Sequence, residues 1–139
     1  MVVDTQEGFI LGGHVTPAHV ADTTEFEKLL TNLSLPDTSP VCADKGYASR
    51  KNRSLLAEHR YEDGIMHKAV RGKPLTLFQP LINRIISSVR YRVEQGMGTL
   101  KKHYGFTRMR YLGLSRGNTE FLLNAMAFNL KKAVRMIEI

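Results

Sequence analysis

The stretch Leu81–Tyr104 reads LINRIISSVRYRVEQGMGTLKKHY. Within it Ile82, Ile86, Val89, Val93, Met97 and Leu100 recur every three or four residues, the spacing of one buried stripe along an α-helix. No other segment of the chain keeps that period for so long, and it predicts a long amphipathic helix. Gly96 and Gly98 each cost such a helix about 1 kcal/mol relative to alanine and are expected to bend or fray its last turns. A second stripe runs beside the first. Asn83, Ser87, Arg90, Glu94 and Lys101 each follow an apolar stripe residue by one position, about 100° round the helix. An acid between two bases at the edge of a core face suits a metal-bound phosphodiester: the acid binds the cation and the bases hold phosphate oxygens. The same pattern describes a solvated face with an i, i+4 Arg–Glu pair, so the stripe alone leaves both readings open.

Working back from the helix, Val70–Pro80 is a basic loop with Gly72, Pro74 and Pro80, and Asp63-Gly64 predicts a turn before Ile65-Met66. Ser49 is placed to cap a helix that runs to about His59. Before it, Pro40-Val41-Cys42-Ala43 reads as a short buried strand ending at Asp44. Asp22-Thr23-Thr24-Glu25 has the form of a capping box leading into Phe26, Leu29, Leu30 and Leu33 at helical spacing. At the start, Val2–Asp4 and Phe9–Val15 flank the polar turn Thr5-Gln6-Glu7-Gly8 and predict a hairpin, with Gly12 and Gly13 marking a bulge. Beyond the long helix, Asn118 is expected to cap a final helix whose apolar face runs Phe121, Leu122, Ala125, Phe128, Ala133 and Met136. The order strand, strand, helix, strand, helix, a possible strand, then helices predicts an α/β fold with a small mixed sheet.

Hydrophobic residues make up 42% of the 139, enough to build a core and to exclude a disordered chain. No apolar run approaches the ~18 residues that cross a bilayer. The opening MVVDTQEGF lacks the basic and apolar segments of a signal peptide. One cysteine, Cys42, excludes an intrachain disulfide and fits a reducing compartment; it reads as a packing residue. The five histidines (His14, His19, His59, His67, His103) have no metal-ligand spacing. The expectation is a cytoplasmic protein acting at the chromosome, with no membrane contact. The charge is uneven. Residues 1–44 hold seven acids and one base, whereas residues 45–139 hold nineteen bases and six acids. A segment at +13 is an electrostatic footprint for a polyanion, most often nucleic acid. Lys68, Arg71, Lys73, Lys102, Arg108, Arg110 and Arg116 are candidates for backbone phosphate contacts.

Asp44, at the end of a short apolar run, gives the polar stripe a potential partner, since catalytic residues of open α/β sheets gather at the carboxyl ends of strands. The run Ala43-Asp44-Lys45-Gly46-Tyr47 resembles the second-aspartate motif, D-x-G-Y, of insertion-sequence transposases with a DDE active site. Arg90-x-x-x-Glu94-x-x-x-x-x-x-Lys101 matches their R-x3-E-x6-K signature, and Asn129-Leu130-Lys131-Lys132-Ala133 resembles the family's closing helix. Some branches carry a tyrosine three residues before the arginine, where this chain has Ser87.

The resemblance implies a ribonuclease-H-like fold, a mixed sheet with flanking helices. Asp44 and Glu94 would be metal ligands for Mg²⁺ or Mn²⁺. Arg90 and Lys101 would position DNA phosphates, and Gly46 and Tyr47 would shape the turn and cover the site. It implies DNA transposition on double-stranded DNA, both transposon ends and target, with a second copy or an intact transposase as protein partner. The family's first aspartate has no clear counterpart. Asp4 is the best early candidate, but Val3-Asp4 and Val15-Thr16-Pro17-Ala18 resemble the family's second and third strands instead. Residues 1–139 are therefore expected to be the C-terminal part of the catalytic domain, lacking the first strand and inactive alone. Two alternatives stand beside this reading: a non-enzymatic DNA-binding fragment that modulates intact transposase, and a basic nucleic-acid-binding module whose acids are incidental.

Overall fold

Residues 23–91 build a strand–helix–strand motif. In the computed structural model, which describes residues 1–137, strand β3 (Pro40–Ala43) runs parallel to β4 (Glu62–Ile65), with Pro40 opposite Glu62 and Ala43 opposite Ile65. Parallel strands need a crossover, and helix α2 (Arg50–Glu58) supplies it. Ser49 caps α2 as expected, its hydroxyl accepting from the Asn52 amide at 3.1 Å. A short helix α1 (Phe26–Thr31) lies upstream. Phe26, Leu30, Ala43, Leu56 and Ile65 form the core of this unit.

Two expectations change here. Asp22–Glu25 forms a 3-10 turn, and α1 begins only at Phe26, with Glu25 at its N-cap making no side-chain cap bond; Glu25 instead pairs with Lys28 at 3.0 Å. Asp63 and Gly64 lie inside β4 and not in a turn. Gly64 is there because the neighbouring strand passes close: a Cβ would lie 2.9 Å from the Val41 carbonyl oxygen and 3.0 Å from Cys42 Sγ. Asp63 is held by Arg53, which also donates to the Ile65 carbonyl at 3.1 Å. Tertiary pairing has overridden local turn propensity.

A second compact unit comprises Met1–Asp22 with Arg92–Ile139. Its hairpin pairs β1 (Val2–Val3) with β2 (Ile10–Gly12), both shorter than expected. Val2 faces Gly12 and Val3 faces Ile10, so Leu11 is the extra residue of a bulge. Asp4 closes the connecting turn by accepting from the amides of Gln6, Glu7 and Gly8. Burial works against the charge of this carboxylate, but those three amides and the nearby Arg92 outweigh it and lower its pKa.

Helix α3 (Gln79–His103) belongs to both units by sequence, and α4 (Leu114–Ile137) belongs to the second. Val3, Ile10, Leu100, Phe121 and Ala125 are the buried core there. Gly96 does not fray α3. It is buried, and a Cβ on it would touch Met1 and Val3 at 3.6 and 3.8 Å, so the glycine lets the hairpin pack close to the helix. Asn118 does not cap α4, which starts four residues earlier; its side-chain oxygen accepts from the Val15 amide at 2.7 Å. The predicted apolar stripes are buried only in part. Ile82, Leu122 and Met136 are 41%, 51% and 45% exposed. The two short sheets are separate, one parallel and one antiparallel, where a single mixed sheet was expected.

Candidate active site

The carboxyl ends of β3 and β4 meet the first half of α3. The chain leaves β3 at Asp44 and β4 at Met66, and the Met66 amide donates to the Ala43 carbonyl at 3.0 Å, so the two ends stay side by side. The next residue, His67, is gripped by Asn83 of α3. The His67 amide donates to Asn83 Oδ1 at 2.7 Å, and Asn83 Nδ2 donates to the His67 carbonyl at 2.9 Å. This two-bonded clamp sets the position of α3 along the strand ends. Two turns further on, at about 1.5 Å per residue, Arg90 reaches the same place. Its guanidinium lies 3.6 Å from Asp44 Oδ2 and 3.6 Å from Met66 Sδ.

Asp44 is extended at φ −68°, ψ 161°, and its Oδ1 accepts from the Lys45 amide at 2.6 Å, capping the 3-10 turn Lys45–Tyr47. That bond directs one carboxylate oxygen into the turn and the other toward Arg90. The side chain is 43% exposed, open to an incoming ion, while Arg90 is 23% exposed. Tyr47 packs its ring on Phe26, centroids 5.4 Å apart, and its carbonyl accepts from Asn52 Nδ2 at 3.0 Å. The turn after Asp44 is thus anchored to α1 and α2. A Cβ on Gly46 would meet only Thr23, at 3.8 Å, an ordinary contact.

Of the four residues expected at the centre, Asp44 and Arg90 come together. Glu94 and Lys101 lie on the second half of α3, in the other unit, and both are exposed. Glu94 follows Arg90 by about one turn. The candidate phosphate contacts are divided between the two units. Lys68 is exposed, and Arg71 and Lys73 sit at the tip of a tight turn closed by hydrogen bonds between Val70 and Lys73 at 2.9 and 3.2 Å. Lys102, Arg108 and Arg116 are exposed on or between α3 and α4. Arg110 is tied to Glu120, its amide at 3.2 Å and its Nε at 3.8 Å.

Residues 1–130 match the family model described as the transposase DDE domain. The chain belongs to that family. It is 42% identical over 131 residues to the transposase for insertion sequence element IS1106 of Neisseria meningitidis serogroup B, a match that covers 94% of this chain and 45% of the relative. The chain therefore spans less than half the length of that transposase. No solved structure matches. No helix among the described residues is long and apolar enough to cross a membrane.

The DDE family name denotes three metal-binding acids. Asp44 and Glu94 offer oxygen donors, the type that hard divalent cations take, and Asp44 is accessible to one. They fit such a cation in donor type. In number they fall short of a full set: among the described residues no three His, Cys, Asp or Glu side chains gather as a metal site. Asp4 is a poor third member, since its oxygens already serve the amides of Gln6, Glu7 and Gly8.

Proposed function

We propose that this chain is the C-terminal part of a ribonuclease-H-like DDE catalytic domain that cleaves and joins DNA in transposition. The observation that carries the reading is the approach of Arg90 to Asp44 at the carboxyl ends of two parallel strands. It links D-K-G-Y and R-x3-E-x6-K, two motifs far apart in sequence, at the edge where open α/β sheets bind ligands. In this reading Asp44 and Glu94 are the metal ligands, and Mg²⁺ is the ion in the cell. Divalent cations held there would activate a water or a 3′-hydroxyl and neutralise charge on the leaving oxygen of an in-line displacement. Arg90 orients Asp44 and, with Lys101, holds non-bridging phosphate oxygens. The Asn83–His67 clamp keeps α3 in register with the strand ends. The third acid comes from a segment outside these 139 residues, which accords with Asp4 being occupied by its own turn.

The test is strand transfer on labelled terminal-repeat DNA with Mg²⁺ or Mn²⁺. The 139-residue chain alone is expected to be inactive. Fused behind the N-terminal remainder of the IS1106 transposase, it is expected to nick and join DNA. In that fusion Glu94→Gln should lower the rate by at least about 10²-fold, because a ligand charge worth several kcal/mol is lost, while duplex binding stays near the parent value. An active fusion in which Glu94→Gln has no effect overturns the site. Strand transfer by the short chain alone overturns the missing acid. A non-enzymatic modulator of intact transposase is the second reading, favoured by the +13 charge of residues 45–139; a fusion that binds DNA but never joins it would select it.

A further inference from the structure

A groove of about 450 Å³ in the second unit runs between α3, α4 and the β1–β2 turn. Its lining includes Arg92 and His103 from α3 and Lys131, Lys132 and Arg135 from α4, and no carboxylate among the described residues. Apart from Lys131-Lys132, which marked only the closing helix, none of these bases stood out in the sequence. Like charges converge at one end: Lys132 Nζ and Arg92 Nη1 come within 3.7 and 3.8 Å of the point where a Cβ on Gly8 would stand. Asp4, an acid that interacts with Arg92, spends its oxygens on three turn amides. Gathering that many cations around one hollow is unfavourable without an anion. Thr99 and Gln95 in the same lining add hydrogen-bonding groups suited to phosphate oxygens.

The groove is on the back of the proposed catalytic stripe. At about 100° per residue, Arg92 and His103 lie roughly 160–180° round α3 from Glu94. A phosphate in the groove therefore cannot be the one attacked at Glu94. We propose that this groove holds a second run of DNA backbone, a duplex segment distinct from the scissile strand, by non-specific phosphate contacts. The inference rests on the DNA-binding part of the reading above. Strand transfer joins two DNA molecules, and a backbone site behind the catalytic stripe gives one domain a hold on each.

The test uses the 139-residue chain in EDTA, so that no chemistry enters the readout. Duplex binding is titrated against salt for the parent, for Lys131→Gln/Lys132→Gln/Arg135→Gln, and for Lys68→Gln/Arg71→Gln/Lys73→Gln as a comparison. With about 0.9 of a counterion released per contact, the groove variant should lower the log–log salt slope by about 2–3 and weaken binding at least tenfold at moderate salt. Acetylation of the parent chain gives a readout that needs no variant: duplex should protect Lys131 and Lys132 several-fold. Unchanged slope with unchanged acetylation overturns the groove while leaving the transposase reading to the fusion assay. Polyglutamate protecting those lysines better than duplex would assign the groove to an acidic protein segment and overturn it as well. A parent chain that binds no duplex at all overturns the groove too, and the fusion assay still decides the catalytic reading.

Discussion

The two units solve the same problem at different distances along the chain. In residues 23–91 the core side chains Phe26, Leu30, Ala43, Leu56 and Ile65 come from one continuous segment, and β3, α2 and β4 follow one another directly. In the other unit Val3 and Ile10 meet Leu100, Phe121 and Ala125, so the two ends of the chain must find each other. Each unit uses a helical asparagine to bind an extended backbone twice. Asn83 grips His67 from 16 positions away, and Asn129 grips Ile10 from 119, its Oδ1 accepting from the Ile10 amide at 2.9 Å and its Nδ2 donating to the Ile10 carbonyl at 2.8 Å. Local closure costs less chain entropy than distant closure. The strand–helix–strand unit should therefore tolerate damage that the end-to-end unit does not.

The largest effects should come from emptying each core. Leu56 and Leu100 are both fully buried, and truncating either to alanine should cost about 2–5 kcal/mol. Hydrogen exchange should localise the loss. Leu56→Ala should release α2, β3 and β4 and leave the amides around Phe121–Ala125 near parent rates; Leu100→Ala should do the reverse. If either substitution speeds exchange equally in both sets, the two cores melt as one cooperative unit and the contrast drawn above fails.

The clamps come next. Asn129→Ala strands both backbone groups of Ile10, a residue only 5% exposed, and an unsatisfied buried group costs about 1–3 kcal/mol. A loss of about 2–4 kcal/mol is expected. His67 is only partly buried, so water can replace Asn83, and Asn83→Ala should cost about 1 kcal/mol. Urea unfolding of the two variants ranks them, and a larger loss for Asn83→Ala would reverse the comparison.

The same difference in distance explains what could be read from the sequence. Pro40–Ala43, the Ser49 cap and the position of Asp44 were legible because each is decided by neighbours a few residues away. The Asp63-Gly64 pair misled because Gly64 answers to the backbone of Val41, a strand away. Asn118 misled because its partner Val15 is 103 positions distant, which makes a cap-forming residue serve as a brace in the second turn of α4. Helical periodicity placed Ile82 and Leu122 on buried faces, yet they are 41% and 51% exposed, because the period carries no information on what covers a face. At the candidate site, the helical stripe and the strand-end aspartate were each readable alone; their meeting through Arg90 depends on the Asn83 clamp, which no spacing announces. The cationic groove was least legible of all, since its bases come from α3 and α4 and its floor from a glycine turn near the start of the chain.

The units also differ in where they place left-handed backbone, and this gives the smallest expected effect. In the end-to-end unit the positive φ angles fall on Gly8, Gly105 and Gly113, which bear no Cβ. In the strand–helix–strand unit two fall on side-chain-bearing residues, Thr38 at 65° and Arg60 at 58°. Arg60 ends α2 in a Schellman motif: its amide donates to the Ala57 carbonyl at 3.1 Å, and the Tyr61 amide donates to Leu56 at 2.9 Å. Its own carbonyl then accepts from the Thr38 amide at 2.8 Å, so both strained residues hold one corner ahead of β3 and β4. A left-handed conformation costs a residue with a Cβ about 1–2 kcal/mol, of which glycine returns part through its greater freedom when unfolded. Arg60→Gly should stabilise the protein by about 0.5 kcal/mol, since the Asp37 pair it gives up is 3.5 Å long, exposed, and worth little. Thr38→Gly should gain somewhat more, because a β-branched residue is least suited to that region. Thermal unfolding of the single and double variants measures this. Destabilisation by both would mean that the corner is held by its side chains, and that the two units do not differ in stored backbone strain.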